Sequence, residues 1–465
     1  MASPKVSVII PAYNQAKYLA AAIQSMFDQT YRNLEVIVVN DASTDHTDEV
    51  MRQFAHDPRV KYLVHEKNRY AAAARNTGIR AAAGELIAFL DADDLVHREK
   101  LQVQVAFLEE HPTIGLTYNS RLEIDEAEQP LGIVRSLPVV TLADLVMGYP
   151  YAPSEVVMRR EWAIRVGLMD ESFVFHGEDP DFHMRLALEG CEMAGVNRIL
   201  NYRRRHAGRV FRNLAGIVKD ELRAFENTFA DPRCPPAVLA LRSKALGYLN
   251  LILSYDAFAQ NETALGQELL RKAIQFDQSI FEGGDKELLT FYTMTSIYDG
   301  GDHETPLRRV FAQLPNELAA LRQYTESAVG HGYLLRGARD LLWGRTEQGV
   351  ENFNKALALG AQPDEPFLQR LTAQLLEYEA EFGREAAQKA LGNLAVGLEK
   401  IGNPIQARWL QGHYSVNQAF REYRNGQYTK VPSAVLRAVT KDPSYLTNRG
   451  VISILARSTA RAMRP

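Results

Sequence analysis

Carboxylates carry most of the chemical signal in this chain, and they fall where a fold would use them. Asp91, Asp93 and Asp94 follow directly on the apolar run Leu86–Leu90. That run reads as a buried central strand of a parallel sheet, and in open α/β sheets the ligand sits beyond the carboxyl ends of the strands. Asp91 and Asp93 are two apart, so an extended chain points both at one object. Asp94 reads as the cap of a following helix. Asp41 stands at the tip of another strand, Glu35–Val39. Its carboxylate there either accepts a hydrogen bond from a nucleotide base N–H or caps the helix near Thr47. A third acidic step, Gly177-Glu178-Asp179-Pro180, precedes a helix from Phe182 to Glu189. Negative charge favours a helix start by itself, and Arg185 inside the helix is placed to pair with one of these acids.

The elements that position these groups alternate. Val6–Ile10 is a short apolar strand ended by Pro11, and Lys17–Phe27 follows with helical spacing. Strand Glu35–Val39, helix Thr47–Phe54 and strand Val60–Val64 come next, then the alanine-rich helix Tyr70–Ala83. Strand Leu86–Leu90, helix Lys100–Leu108 and strand Ile114–Tyr118 complete the series. Such alternation predicts a parallel, doubly wound sheet. No Gly-x-Gly-x-x-Gly follows the first strand and no Walker lysine motif occurs, which argues against dinucleotide-dependent oxidoreductases and P-loop enzymes. After a short helix, Thr141–Met147, the aromatic loop Gly148–Pro153 either lines a substrate cleft or is an ordinary crossover.

Three segments in order, Val8-Ile9-Ile10-Pro11-Ala12-Tyr13-Asn14, Val38-Val39-Asn40-Asp41-Ala42-Ser43-Thr44-Asp45 and Phe89-Leu90-Asp91-Ala92-Asp93-Asp94, resemble the signatures of family 2 inverting glycosyltransferases with the GT-A fold. The likeness covers roughly residues 1 to 215. It implies a nucleotide-diphosphate sugar as donor and a divalent cation, Mn²⁺ or Mg²⁺. By this match Asp41 binds the base, Asp91 and Ala92 lie against the nucleoside and sugar, and Asp93 binds the metal. Pro11, Tyr13 and Asn14 fall in the loop lining the nucleotide. A hard cation held by oxygen ligands suits a diphosphate leaving group. Arg75 is then either an extra phosphate donor or a helix arginine paired with an acid. The Gly-Glu-Asp step resembles the family's Glu-Asp motif, which makes Asp179 the general base, with Glu178 orienting it or touching the acceptor.

Arg198 to Arg212 holds six arginines and His206 but no acid. This segment closes the sheet domain, so Arg203 and its neighbours are expected on a closing loop beside the diphosphate. The same arginines would also suit an anionic acceptor or a phospholipid headgroup. The resemblance carries a further metal ligand to His206. The Gln-x-x-Arg-Trp motif of the family's membrane-embedded polymerases is absent from the equivalent place, which favours transfer of one or a few sugars.

At 465 residues, 46% apolar and 24% charged, the chain reads as a folded protein of two or three domains. A net charge of −4 gives no reason to expect nucleic-acid binding, and two cysteines exclude a disulfide framework. With no leader pattern and no apolar run of spanning length, the expected address is the cytoplasm, extended to a peripheral place at the inner face of the membrane. Strand signals end near Leu214, and Asp231–Pro236 reads as a linker between a GT-A domain, 1–230, and a helical accessory domain, 231–465. The sheet domain is expected to be α/β with a parallel-dominated sheet, the second all-α. Asn261, Gly344 and Gly426 each precede a matching Lys/Arg-Ala-apolar step, a spacing that resembles tetratricopeptide-like helical hairpins. Such hairpins bury their shared faces, and they also offer a groove for a protein partner or for self-association. The segment Val451–Arg464, arginines among apolar residues, either docks on a membrane surface or packs as a final helix. The expected acceptor is a glycan, a lipid-linked sugar or a protein. An inactive sheet domain serving as scaffold for the helices, or a sugar nucleotidyltransferase, is the alternative.

Overall fold

A computed structural model describes residues 6–205, 213–281, 285–297 and 302–462. Its first half contains β1 Val6–Ala12, α1 Ala16–Phe27, β2 Leu34–Asn40, α2 Thr47–Arg52, β3 Val60–Val64, α3 Tyr70–Ala81, β4 Leu86–Phe89, β5 Leu95–Val96 and α4 Lys100–Glu110. Then come β6 Ile114–Ile124, β7 Pro130–Val134, β8 Val139–Val140, α5 Leu142–Gly148, β9 Val157–Arg159, α6 Arg160–Arg165, α7 Glu178–Leu188 and β10 Glu192–Arg204. One mixed sheet has the order β3-β2-β1-β4-β9-β6-β10-β5. Strands β3, β2, β1 and β4 are parallel, as the alternation of strands with helices predicts. Strand β9 runs antiparallel between β4 and β6, and beyond it β6 and β10 pair in parallel again.

Register places the chemistry on one edge. Ile9 lies opposite both Ile37 and Phe89, so the chain leaves β1, β2 and β4 on the same side of the sheet, at Tyr13, Asp41 and Asp91. The alanines of α3 have a packing reason. A Cβ on Gly78 would come within 2.3 Å of Ile9 Cγ2, so this helix presses directly on the Ile9 side chain of β1. Small residues permit that approach, and it seats Arg75 and Asn76 in the interior beside the strand tips.

Helices α8 Leu214–Ala230, α9 Pro236–Leu239, α10 Arg242–Ala259, α11 Thr263–Phe276, α12 Asp285–Ile297 and α13 Glu304–Gln313 follow. The division expected after residue 230 does not match the packing. Phe225, Phe229, Val238, Leu246, Leu249 and Leu253 share one apolar core with Phe89, Leu116, Tyr118 and Met193 of the sheet. The first compact unit continues to Asp302, and Cys234 within the expected linker is buried in the same core, although the linker's prolines are exposed. The physical reason is that α10 is apolar around its circumference, which marks a helix covered on several sides. The second unit comprises His303–Arg308 and Ala320–Pro465 and contains α14 Thr325–Leu342, α15 Thr346–Ala358, α16 Glu365–Lys400, α17 Pro404–Arg424, α18 Val431–Lys441 and α19 Arg449–Ala462. Its core is a separate one, built around Leu341, Phe353, Leu371 and Leu398. The internal spacing read from sequence marks the turns of three hairpins. Asn261, Gly344 and Gly426 all have positive φ, and Ala273, Ala356 and Ala438 are each fully buried. Among the described residues no helix is long and apolar enough to cross a membrane.

Candidate active site

Two cavities meet at the carboxyl edge of the sheet. The first, of about 530 Å³, is lined by Pro11, Tyr13, Asp41, Ala92 and Phe175 together with Arg75, Asp91 and Asp93. The second, of about 570 Å³, is lined by Glu178, Asp179, His176, Tyr149 and Arg203, again with Arg75, Asp91 and Asp93. Nearly every residue singled out from sequence therefore borders one continuous space.

Asp41 does not cap the second helix; Asp45 takes the Thr47 N–H at 3.0 Å instead. Asp41 Oδ1 accepts from the Arg69 N–H at 2.8 Å and lies 2.6 Å from His65 Nδ1, whose other ring nitrogen meets Thr77 at 2.9 Å. His65 leaves the tip of β3 as Asp41 leaves β2, so the strand-tip argument extends to it. Asn14 lines neither cavity. Its side-chain oxygen accepts from Thr44 N at 2.7 Å, and its own N–H donates to Ser43, so it braces the loop carrying Asp41.

Arg75 is neither a surface residue nor a free phosphate donor. Buried on α3, it donates to Asp91 at 3.0 Å and to Glu178 at 2.7 Å. Burial alone would ease its proton off, but Asp91 and then Glu178 outweigh that and raise its pKa. Burial pushes Glu178 up as well, yet Arg75 and His176 prevail and hold it below the usual carboxylate range. Asp179 goes the other way. Burial, then the neighbouring Glu178 charge, push it up to about 6. The adjacent acids thus become one tied, ionised carboxylate and one more basic carboxylate facing the cavity.

The turn that delivers this pair is held by α8. Asp220 Oδ2 accepts from both Val174 N and Phe175 N at 3.0 Å, and Glu221 pairs with His176 Nδ1. Gly177, at φ 91°, closes the turn where a Cβ would stand 2.9 Å from the Asp220 carbonyl oxygen. Helix α7 begins at Glu178, four residues ahead of the expected start, so both acids sit in its first turn. Arg185 pairs with Asp181 at 2.7 Å, not with either of them. Burial pulls His176 down, but the Glu221 carboxylate beside it prevails and raises it to about 10, which holds the ring cationic. Nothing local in the sequence marks Asp220 and Glu221 as partners of a turn more than forty residues earlier.

Of the arginines expected on a closing loop, Arg198, Arg203 and Arg204 belong instead to strand β10, and Arg209 and Arg212 lie outside the described residues. Arg203 lines the second cavity. Arg204 turns inward, donating to the Asp93 carbonyl at 3.0 Å, and its N–H donates to Asp94 Oδ1 at 3.0 Å. Asp94 is therefore a buried brace and not a helix cap. Arg205 pairs with Glu123 at 2.6 Å. His206 lies outside the described residues.

The donor set fits a hard cation. Asp93 borders both cavities with Asp91 beside it, and behind them burial and then the Asp93 and Asp91 charges raise Asp94 to about 8. No cluster of three or more His, Cys, Asp or Glu groups could hold a metal among the described residues. Asp93 is the carboxylate at this edge that would hold a cation, and a hard ion such as Mg²⁺ or Mn²⁺ takes oxygen ligands of this kind.

Comparison with known proteins places this geometry. The family model described as Glycosyl transferase family 2 matches residues 7–143. An uncharacterized glycosyltransferase of Rickettsia bellii is 43% identical over 132 residues, 28% of this chain but only 19% of that protein, so the chain spans about a fifth of that relative's length. The Escherichia coli UDP-Glc:alpha-D-GlcNAc-diphosphoundecaprenol beta-1,3-glucosyltransferase WfaP is 31% identical over 209 residues, 45% of this chain and 80% of that protein. Among solved structures, the mannosyltransferase PcManGT of Pyrobaculum calidifontis, in complex with GDP-Man and Mn²⁺, matches at 20% identity and a TM-score of 0.44 over 69% of this chain and 87% of that one. With its mixed GT-A-type sheet, its helical second half and a relative matched over most of its length, the chain belongs to glycosyltransferase family 2.

Proposed function

We propose that the protein is a metal-dependent, inverting glycosyltransferase that moves a sugar from a nucleotide-diphosphate sugar to a hydroxyl of a glycan, lipid-linked or protein acceptor. One observation carries this reading: the cleft of Asp41 and the cavity of Asp179 share Arg75, Asp91 and Asp93 as a common wall. A donor with its base at Asp41 and its diphosphate at Asp93 brings its anomeric carbon to the junction with the Asp179 cavity. The UDP-glucose named for the Escherichia coli relative supports a UDP-sugar as first choice.

The residues divide the work. His65 and the Arg69 N–H fix one oxygen of Asp41, which orients the carboxylate toward the base. Tyr13, 46% exposed at the mouth of the cleft, offers a ring face to it. A divalent cation, held by Asp93, would neutralise charge on the departing diphosphate. Asp179, at about 6, is ionised at neutral pH and a stronger base than an ordinary carboxylate. It takes the acceptor's proton as the acceptor oxygen bonds to the anomeric carbon and the carbon–diphosphate bond breaks. Glu178, tied to Arg75, keeps the base in place. A single displacement of this kind inverts the anomeric centre.

The proposal extends to place and partners. The enzyme works in the cytoplasm, peripheral at the inner face of the membrane when its acceptor is lipid-linked. The helical half, with its tetratricopeptide-like hairpins, engages acceptor, protein partner or a second copy. Calorimetric titration with UDP tests the core of the reading. Affinity should fall on adding chelator and equally in Asp93→Ala, and undiminished binding in both would refute it.

A further inference from the structure

The cavity of Asp179 has two chemically different parts. Charged groups of the sheet edge and α7 form one. Helices α8 and α10, both beyond the matched residues 7–143, form the other. Ile217, Glu221 and Phe225 are spaced four apart along α8 and make one stripe. Ala245, Tyr248, Leu249, Ile252, Leu253 and Asp256 make a second stripe along α10. At 1.5 Å per residue that stripe is about 16 Å long, well beyond the extent of one sugar ring. Sugar hydroxyls set against Phe225, Leu249 or Leu253 would lose water and gain no partner, which is unfavourable for each of them. The charged side chains that α8 and α10 bring to the cavity are acids, Glu221 and Asp256, with no lysine or arginine among them.

We propose that α8 and α10 form a subsite for an uncharged apolar group carried by the acceptor next to the sugar whose hydroxyl meets Asp179. The inference rests on the glycosyl-transfer reading and narrows its acceptor to a glycoside with a neutral, apolar aglycone. A phosphate placed between sugar and apolar group would meet no basic side chain of α8 or α10, and Glu221 there is already paired with His176, so a lipid-diphosphate sugar is disfavoured. Tyr248 stands at the Gly148 loop, where its ring lies 3.8 Å from the position of a Cβ on that glycine, and it closes one side of the subsite.

The test uses the full-length protein and matched acceptors below their micelle concentration: methyl and octyl glycosides of glucose, galactose and N-acetylglucosamine, and N-acetylglucosamine linked through diphosphate to farnesol. A donor is first identified by hydrolysis across a panel of nucleotide sugars; no turnover of any of them defeats the transfer reading itself. Given a donor, the KM for at least one octyl glycoside should be at least about tenfold below that of its methyl partner. Ile252→Gln, checked for folding by circular dichroism, should bring the two values together, and Tyr248→Ser does the same if the first variant does not fold. Equal KM values for methyl and octyl glycosides overturn the inference while leaving the transfer reading standing. Preference for the farnesyl diphosphate sugar over every octyl glycoside overturns it as well.

Discussion

Replacing Asp179 by Asn keeps the size of the side chain and removes its basicity, and it should make the protein more stable while making it less active. The carboxyl is raised from 3.8 to about 6 in the folded chain. Between those values the native state holds a proton that the unfolded chain has released, so stability falls as pH rises across that window. Below it both states are protonated and nothing is lost; above it both are ionised and the whole destabilisation is present. A shift of roughly two units corresponds to at most ~3 kcal/mol, and roughly half of that remains at pH 5. Asn carries no such term. Unfolding entropy of about 2 cal/mol/K per residue over a unit of roughly 300 residues converts the gain at pH 8 to at most about 5 °C in Tm.

Two assays follow from this. Differential scanning calorimetry at pH 8 and pH 5 should show Asp179→Asn melting above wild type, with the advantage shrinking by about half at the lower pH. Transfer to acceptor at pH 8 should fall by about 10²–10⁴-fold, while donor affinity by calorimetry hardly changes. The wild-type rate should rise with pH along a limb centred near 6. A variant no more stable than wild type at pH 8, or one whose gain is the same at both pH values, refutes the electrostatic reasoning. Near-wild-type transfer refutes the role as base.

Three further outcomes are expected. His176→Gln removes the cation that holds the Asp179 pKa down and leaves Glu221 without its partner, so the acid limb of the rate profile should move to higher pH; an unmoved limb shows that the pair does not act on the base. Arg75→Met leaves Asp91 and Glu178 without their shared partner and should cost about 3–5 kcal/mol in urea unfolding; a loss below ~1 kcal/mol would show the bridge is not formed. A chain ended at residue 230 lacks the α10 wall of the core and should bind anilinonaphthalene sulfonate and melt without a cooperative transition; a sharp transition would restore the boundary at 230.

The strands β1 to β4 were legible because each is a short apolar run with a punctuating residue, and the tips of such strands are where an α/β sheet places ligands. Strand β9 was not, because three residues crossing between β4 and β6 leave no periodicity to read. The start of α7 was misplaced although Pro180 in an acidic first turn is itself a start signal. The domain boundary went astray for a different reason. A change from strands to helices marks where secondary structure changes, whereas a core ends where apolar surface is covered, and α8 and α10 are still covering the sheet.

The same distinction governs the site. Asp41, Asp91, Asp93 and Asp179 could be picked out singly, because each stands at a strand tip or a helix start. What each one does is set by partners distant in the chain. Arg75 and Glu178 are 103 residues apart, and Glu221 lies 45 residues beyond His176. Those contacts give adjacent acids opposite characters, and no local pattern separates Glu178 from Asp179. Arg75 also joins the two cavities through one guanidinium, with Asp91 of the donor side on one nitrogen and Glu178 of the base turn on the other. One side chain spans both cavities because the fold carries Arg75 on the alanine face of α3, pressed against β1.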